Sequence, residues 1–257
     1  MSTTTALQDL TQEVIWLHGI VLLRVGPMVA MLPGLGERTV PVRIRLVAAL
    51  LFTAVVAPAV APRLPPMGEL APPAPWLMVT ETGIGVLIGL GLRLFVLALQ
   101  TAGAIAGQST SLAQVLGNAG VTPLPAIGHL LMIGGLALVM ISGLHAQAAQ
   151  LMVRTYDLLP LAQVPDAGAV AEWGTRQVAG AFALAFTLVA PFVIVSVLYN
   201  LTLGVINRAM PQLMVVFVGA PVITGAGLVL LLMLAPTMLT IWVQAIEAFL
   251  SDPLGAG

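Results

Sequence analysis

Trp76–Ala106 reads WLMVTETGIGVLIGLGLRLFVLALQTAGAIA, and this run decides the fold class. It carries two charged side chains, Glu81 and Arg93. A helix that crosses a bilayer needs about 20 predominantly apolar residues, and this stretch exceeds that length. Gly85 and Gly89 form a GxxxG pair, as do Gly103 and Gly107 at its far end. Such spacing lets two helix backbones approach closely.

Five more hydrophobic stretches flank it: Val14–Met31, Leu46–Ala61, Leu124–Val153, Val178–Ile206 and Leu213–Leu250. Leu46–Ala61 is short for a span. Pro191 interrupts the fifth stretch of the chain, and Gly219, Pro221, Gly225, Gly227 and Pro236 break the sixth. Proline removes a backbone donor and frees a carbonyl that lipid cannot satisfy, so irregular backbone at membrane depth survives only against protein or water. The expectation is an all-α, polytopic membrane protein of bent helices packed on neighbours.

Composition agrees. Of 257 residues, 59% are hydrophobic and 7% charged, against about 25% charged in ordinary soluble domains. All nine basic residues are arginine, and the net charge of -1 leaves no polybasic patch, so nucleic acid is not an expected partner. Cysteine is absent, which excludes disulfides, thiolate metal sites and cysteine nucleophiles. Met1–Glu13 carries Asp9 and Glu13 and no basic residue. A cleaved leader needs a basic start, so the first apolar segment is expected to stay as an anchor.

The connections differ in character. Pro33–Arg45 holds Glu37, Arg38, Arg43 and Arg45, and the positive-inside rule puts it in the cytoplasm with the N-terminus outside. The arginines divide too evenly between the two sides for charge alone to fix the whole topology. Pro62–Pro75 contains six prolines and reads as a stiff extended linker. Gln108–Pro123 has no charge, and Arg154–Arg176 is the most polar and acidic link. Asn207–Gln212 reads as a tight turn, making the last two helices a hairpin.

Catalytic chemistry is hard to build from this chain. His129 and His145 would lie about 24 Å apart on one straight helix and could not share a metal. No HExxH, Walker A or GxSxG pattern occurs. The expectation is no enzyme, no metal and no cofactor. Arg24 and Arg93 stand out because each sits inside an apolar stretch, where charge is costly and marks function by default. Glu81 would be about 18 Å from Arg93 along their helix, out of reach. Arg93 therefore pairs with another helix or a neighbouring subunit, lines a water-filled path, or snorkels; pairing is the first expectation.

Leu22-Leu23-Arg24-Val25 and Glu37-Arg38-Thr39-Val40-Pro41-Val42-Arg43 resemble the N-terminal signature of the FliR family of flagellar export proteins. Gly85…Gly89-Leu90-Gly91 and Ala102-Gly103…Gly107-Gln108 are similar as well. The most specific match is Asn207-Arg208-Ala209-Met210-Pro211-Gln212, followed by Phe217-Val218-Gly219-Ala220-Pro221: N-R-x-x-P-Q, an apolar run, then F-x-x-G-x-P. The P-Q and G-x-P details favour the flagellar branch over the related virulence-type secretion subunit. The chain departs from the family pattern at Met214 and Ala220.

The resemblance implies one subunit assembled with several FliP and FliQ subunits, with FlhB nearby, in the bacterial inner membrane within the flagellar basal body. Together they would form the entry pore for unfolded flagellar substrates, driven by an export ATPase and the proton gradient elsewhere. Residues 1–172 would be a FliP-like helical part and 173–257 a FliQ-like hairpin, with helices tilted steeply. Arg24, Arg38, Pro41, Arg43, Arg93, Asn207, Arg208, Pro211, Gln212, Phe217, Gly219 and Pro221 become motif and subunit-interface candidates. The uncharged segment Gln108, Ser109, Thr110, Ser111, Leu112, Ala113, Gln114, Val115, Leu116 and Gly117 is expected to plug the pore. Its hydroxyls and amides can bond to water or backbone, its apolar residues can seal, and a charge there would hold water. A secondary transporter of small solutes is the alternative, since broken helices and intramembrane arginine mark transporters too.

Overall fold

The computed structural model describes residues 3–65, 73–110, 126–210 and 215–255. Seven α-helices follow in order: α1 (Thr3–Met31), α2 (Val42–Val60), α3 (Ala74–Thr110), α4 (Ala126–Ile141), α5 (Leu144–Leu158), α6 (Ala167–Ala209) and α7 (Val215–Ser251). A short 3-10 turn, Ala61–Arg63, follows α2, and no strand occurs among the described residues. Five helices are long and apolar enough to cross a membrane, or six spans if the bent pair α4–α5 counts as one. The chain is an all-α polytopic membrane protein. The 43 residues of α6 extend about 65 Å, roughly twice a hydrocarbon core of about 30 Å. Such a helix must tilt or project beyond the bilayer.

Helix boundaries follow local chemistry. Pro41 precedes α2 with φ -57°, and its carbonyl accepts the N–H groups of Ile44 and Arg45. Arg43 and Arg45 therefore lie on the first turn of α2 and not in a loop, a correction to the reading of Pro33–Arg45 as one connection. At the other end, Arg63 Nη1 donates to Ala59 O and its Nε to Asp157 Oδ1 at 2.7 Å. A cation there satisfies a terminal carbonyl and opposes the helix dipole.

The fourth apolar stretch is two helices, not one. They meet at Ser142–Gly143 with a bend of 69°. Gly143 has φ +85°, a left-handed conformation that glycine adopts without the penalty a Cβ brings.

The chain divides into two compact units. The first comprises Met1–Arg93, Met140–Arg176 and Glu247–Gly257. Its core is built from helical stripes. Val21, Val25, Met28, Val29 and Leu32 are buried along α1, and Leu77, Ile84, Ile88 and Leu92 along α3, each set at the spacing of one helix face. The Gly85–Gly89 pair is the contact surface between α1 and α3. A Cβ at Gly85 would overlap the Arg24 carbonyl, and one at Gly89 would press on Met31 and the Pro27 carbonyl at 3.1–3.2 Å. Trp173 of α6 is buried and donates to Pro253 O at 2.8 Å, just beyond α7.

The second unit comprises Leu94–Val139 and Gln177–Ile246. Gly103 of α3 and Gly128 of α4 pack backbone to backbone, with no room for a Cβ at Gly103. Trp242 of α7 is fully buried, and its indole N–H donates to Phe95 O at 2.7 Å. Leu188, Val189 and Phe192 bury one face of α6 beside Pro191.

These contacts separate two neighbouring glycines. Gly85→Ala is expected to lower the unfolding temperature in detergent, because backbone must move to admit the methyl group. At Gly83 an added Cβ meets nothing within 4 Å, so Gly83→Ala should be neutral or stabilising by up to about 1 kcal/mol. Thermal melts of both variants check this, and equal behaviour would contradict the contact.

Candidate functional site

Arg24 sits on the buried stripe of α1, and Glu81 sits one turn before Gly85 on α3. Both side chains have 0% exposure, and Arg24 Nε donates to Glu81 Oε2 at 2.7 Å. Arg24 Nη1 and Glu81 Oε1 reach into a third region, while Arg24 Nη2 is buried with no partner among the described residues. Arg24 Nη1 donates to Thr155 O and Leu159 O, both at 2.9 Å. These carbonyls close the C-terminal end of α5, where a cation is favoured by the helix dipole. The guanidinium lies 3.9 Å from the centroid of the Tyr156 ring, within range of a cation–π contact. Glu81 Oε1 accepts the Ala162 N–H at 3.1 Å. Ala162 has φ +64°, an uncommon conformation for a residue with a Cβ that costs on the order of 1 kcal/mol and persists when its surroundings fix it. One ion pair thus joins α1, α3, the end of α5 and the α5–α6 connector.

Arg93 has a partner as well. Its Nη1 donates to Glu37 Oε1 at 2.7 Å, with side-chain exposures of 22% and 15%. Arg45 Nη2 donates to the Glu37 carbonyl at 2.7 Å. Glu37 is presented by a tight turn after α1, in which Gly36 N–H bonds to Leu32 O at 2.7 Å and Gly34 takes φ +86°. The pair pins this turn to the middle of α3. Of the readings open for Arg93, pairing with another element of the same chain is the one observed.

The other sequence candidates scatter. Arg38, Pro41 and Arg43 are exposed around the start of α2. Asn207 and Arg208 are exposed on the last turn of α6, and Phe217, Gly219 and Pro221 fall in the first turns of α7. Pro211 and Gln212 lie outside the described residues. Gln108, Ser109 and Thr110, read as the start of a loop, are the last residues of α3, where Ser109 Oγ donates back to Ile105 and Ala106 carbonyls. Ser111–Gly117 lie outside the described residues. Sequence reasoning missed Glu81, Glu37, Tyr156 and Ala162 as site residues. A signal existed for the two acids: a carboxylate in or beside an apolar stretch calls for a cation, and Arg24 and Arg93 call for anions. Among the described residues no group of three His, Asp or Glu side chains is arranged to hold a metal ion. What the arrangement does is hold four segments in one register.

Breaking one half of this pair should be worse than removing both. Arg24→Met leaves a buried carboxylate and is expected to cost about 3–5 kcal/mol. Arg24→Met combined with Glu81→Met should recover part of that loss. A double-mutant cycle on thermal unfolding in detergent measures the coupling, and additive losses would show that the two groups do not act together.

The geometry sits within a recognisable family. The family described as bacterial export proteins, family 1, matches residues 15–249, a range that includes both the Arg24–Glu81 and the Arg93–Glu37 pairs. The flagellar biosynthetic protein FliR of Caulobacter vibrioides is 32% identical over 230 residues, covering 89% of this chain and 92% of the relative. FliR of Escherichia coli is 29% identical over 217 residues, covering 84% and 82%. FliR of Pectobacterium carotovorum subsp. carotovorum is 26% identical over 216 residues, covering 83% and 82%. With five helices among the described residues long and apolar enough to cross a membrane and a match over most of its length, the chain belongs to the FliR family of bacterial export proteins, membrane components of flagellar protein export.

Proposed function

We propose that this chain builds the wall of the flagellar export gate together with FliP and FliQ, with FlhB nearby, around an entry pore for unfolded flagellar substrates in the bacterial inner membrane. One observation carries the reading beyond family membership. Gly174, Gly180 and Gly204 of α6 and Gly225 of α7 each have open space where a Cβ would point. Glycine inside a helix costs about 1 kcal/mol relative to alanine, and in a membrane it is useful where a second helix packs onto it. Among the described residues nothing lies within 4 Å of those positions, and in this proposal partner subunits supply the second helices. Phe182, Phe186, Val197 and Leu201 are exposed along α6 as well.

Within this proposal residues 1–172 act as a FliP-like part and 173–257 as a FliQ-like hairpin with its Asn207–Gln212 tip in the cytoplasm. The Gln108–Gly117 plug rests on the resemblance and on composition: no charge, three hydroxyls, two glutamines and apolar residues able to seal.

Purification in mild detergent tests the assembly. The chain is expected to co-isolate with FliP and FliQ, and Gly204→Leu, at an exposed position of α6, should reduce that yield several-fold while membrane insertion is unchanged. Isolation as a monomer with a solute-dependent thermal shift would mark a small-solute transporter instead. Deleting residues 109–116 tests the plug. Leakage of ions through an assembled, cargo-free gate is expected, and a gate that assembles and stays tight would remove the plug from the proposal.

A further inference from the structure

We propose that the outward stripe of α2, headed by Arg43, docks along a helix of another protein chain. That helix carries a carboxylate beside apolar side chains and a hydroxyl or amide donor further along. α2 has two faces. Ala49, Thr53, Val56, Ala57 and Val60 are buried, and the helix packs on α1 and α5. On the other face Arg43, Val47, Leu50, Leu51, Ala54 and Pro58 are exposed. They recur at i, i+4, i+7, i+8, i+11 and i+15, the spacing of a single helix stripe, and the stripe runs about 22 Å. Val47, Leu50 and Leu51 are 55%, 49% and 63% exposed, which makes its middle apolar.

Two features say what covers this stripe. The first is charge. Arg43 has no partner among the described residues, and neither has Arg38, exposed on the turn before α2. Glu37 is the one acid between positions 33 and 63, and Arg93 already holds it. The carboxylate must therefore come from the second chain, and a guanidinium grips a carboxylate with two parallel N–H groups. The second feature is an open acceptor. Pro58 lies inside α2 and withholds the N–H that would close the Ala54 carbonyl. Ala54 sits about 16 Å along the helix from Arg43, and its small side chain lets another backbone come close. Acyl chains would cover the leucines but offer that carbonyl no donor. A serine, threonine or amide side chain on a packed helix offers one. The whole argument stays within the first unit and stands apart from the α6–α7 surface.

Site-specific photo-crosslinking of the full-length chain, in cells that assemble flagella, tests the contact. A photoreactive residue at Leu50 is expected to form an adduct with another protein, and one at the fully buried Val56 with none. Mass spectrometry of the Leu50 adduct should map it to an apolar helix that bears an aspartate or glutamate. Arg43→Glu should lower the adduct about tenfold by setting like charges face to face, and Arg43→Lys should keep most of it. Replacing the mapped acid by arginine should restore the adduct in the Arg43→Glu chain. Adducts with lipid alone, with a second copy of this chain or with a helix that lacks an acid would overturn the contact. So would a yield that Arg43→Glu leaves unchanged. Cross-links retained at Val197 of α6 while Leu50 gives none would sink this contact and leave the α6–α7 reading standing.

Discussion

The buried ion pair between Arg24 and Glu81 is the constraint on which the first unit depends. Two fully buried charges are expensive, each costing several kcal/mol in lost hydration even after the protein relaxes. Here the cost is offset by a set of bonds that only one arrangement of the chain provides. Arg24 must reach two carbonyls at the end of α5 as well as Glu81, and Glu81 must reach the Ala162 N–H. Sliding α1 by one turn along α3 would move Nε about 5.4 Å from its acceptor and strand both charges. The pair therefore fixes register more surely than an apolar contact could, because apolar side chains repack after a slip and charges do not.

The glycines are part of the same device. Arg24 meets Glu81 because the backbone at Arg24 lies against Gly85, where any side chain would hold the helices apart. A turn later Gly89 admits Met31 and Pro27, and beyond it Arg93 takes hold of Glu37. Along α3, charge and glycine alternate, each pair of contacts locking the turn of α1 above it. Among the described residues of the second unit no ion pair plays this part. Gly103 against Gly128 and the Trp242 indole on the Phe95 carbonyl do the positioning there. Far along α6 and α7, glycines face open space. Gly19 of α1 and Gly83 of α3 face open space in the first unit too.

Much of this was legible in the sequence because hydropathy reports environment directly. The apolar stretches became helices, and the Gly85–Gly89 spacing became a helix contact. Arg24 and Arg93 were singled out because charge inside apolar sequence demands a partner. Their partners were not legible. Glu81 is distant from Arg24 in sequence, and pairing them requires knowing that α1 and α3 lie side by side in one direction. The Gly103–Gly107 spacing announced a close helix approach, and Gly103 makes one, but the spacing does not name the neighbour, Gly128 of α4. The break at Gly143 was hidden because hydropathy carries no record of φ, and a glycine within an apolar run looks like any other. The start of α2 was drawn too late because arginines near a proline read as loop, although proline before a helix is a start signal. The Gln108–Gly117 assignment came from resemblance, and of it only Gln108–Thr110 fall among the described residues, on a helix.

In the proposed gate, the α6–α7 surface is where the subunit joins its neighbours. That assignment rests on the exposed apolar residues of α6, and it is accessible to measurement in cells. A photoreactive residue placed at Val197 or Gly204, both exposed on α6, should form cross-links to FliP or FliQ in assembled flagellar bases, while one at the fully buried Val96 should form none. Adducts with lipid alone from Val197 and Gly204 would contradict the assignment of this surface to partner subunits.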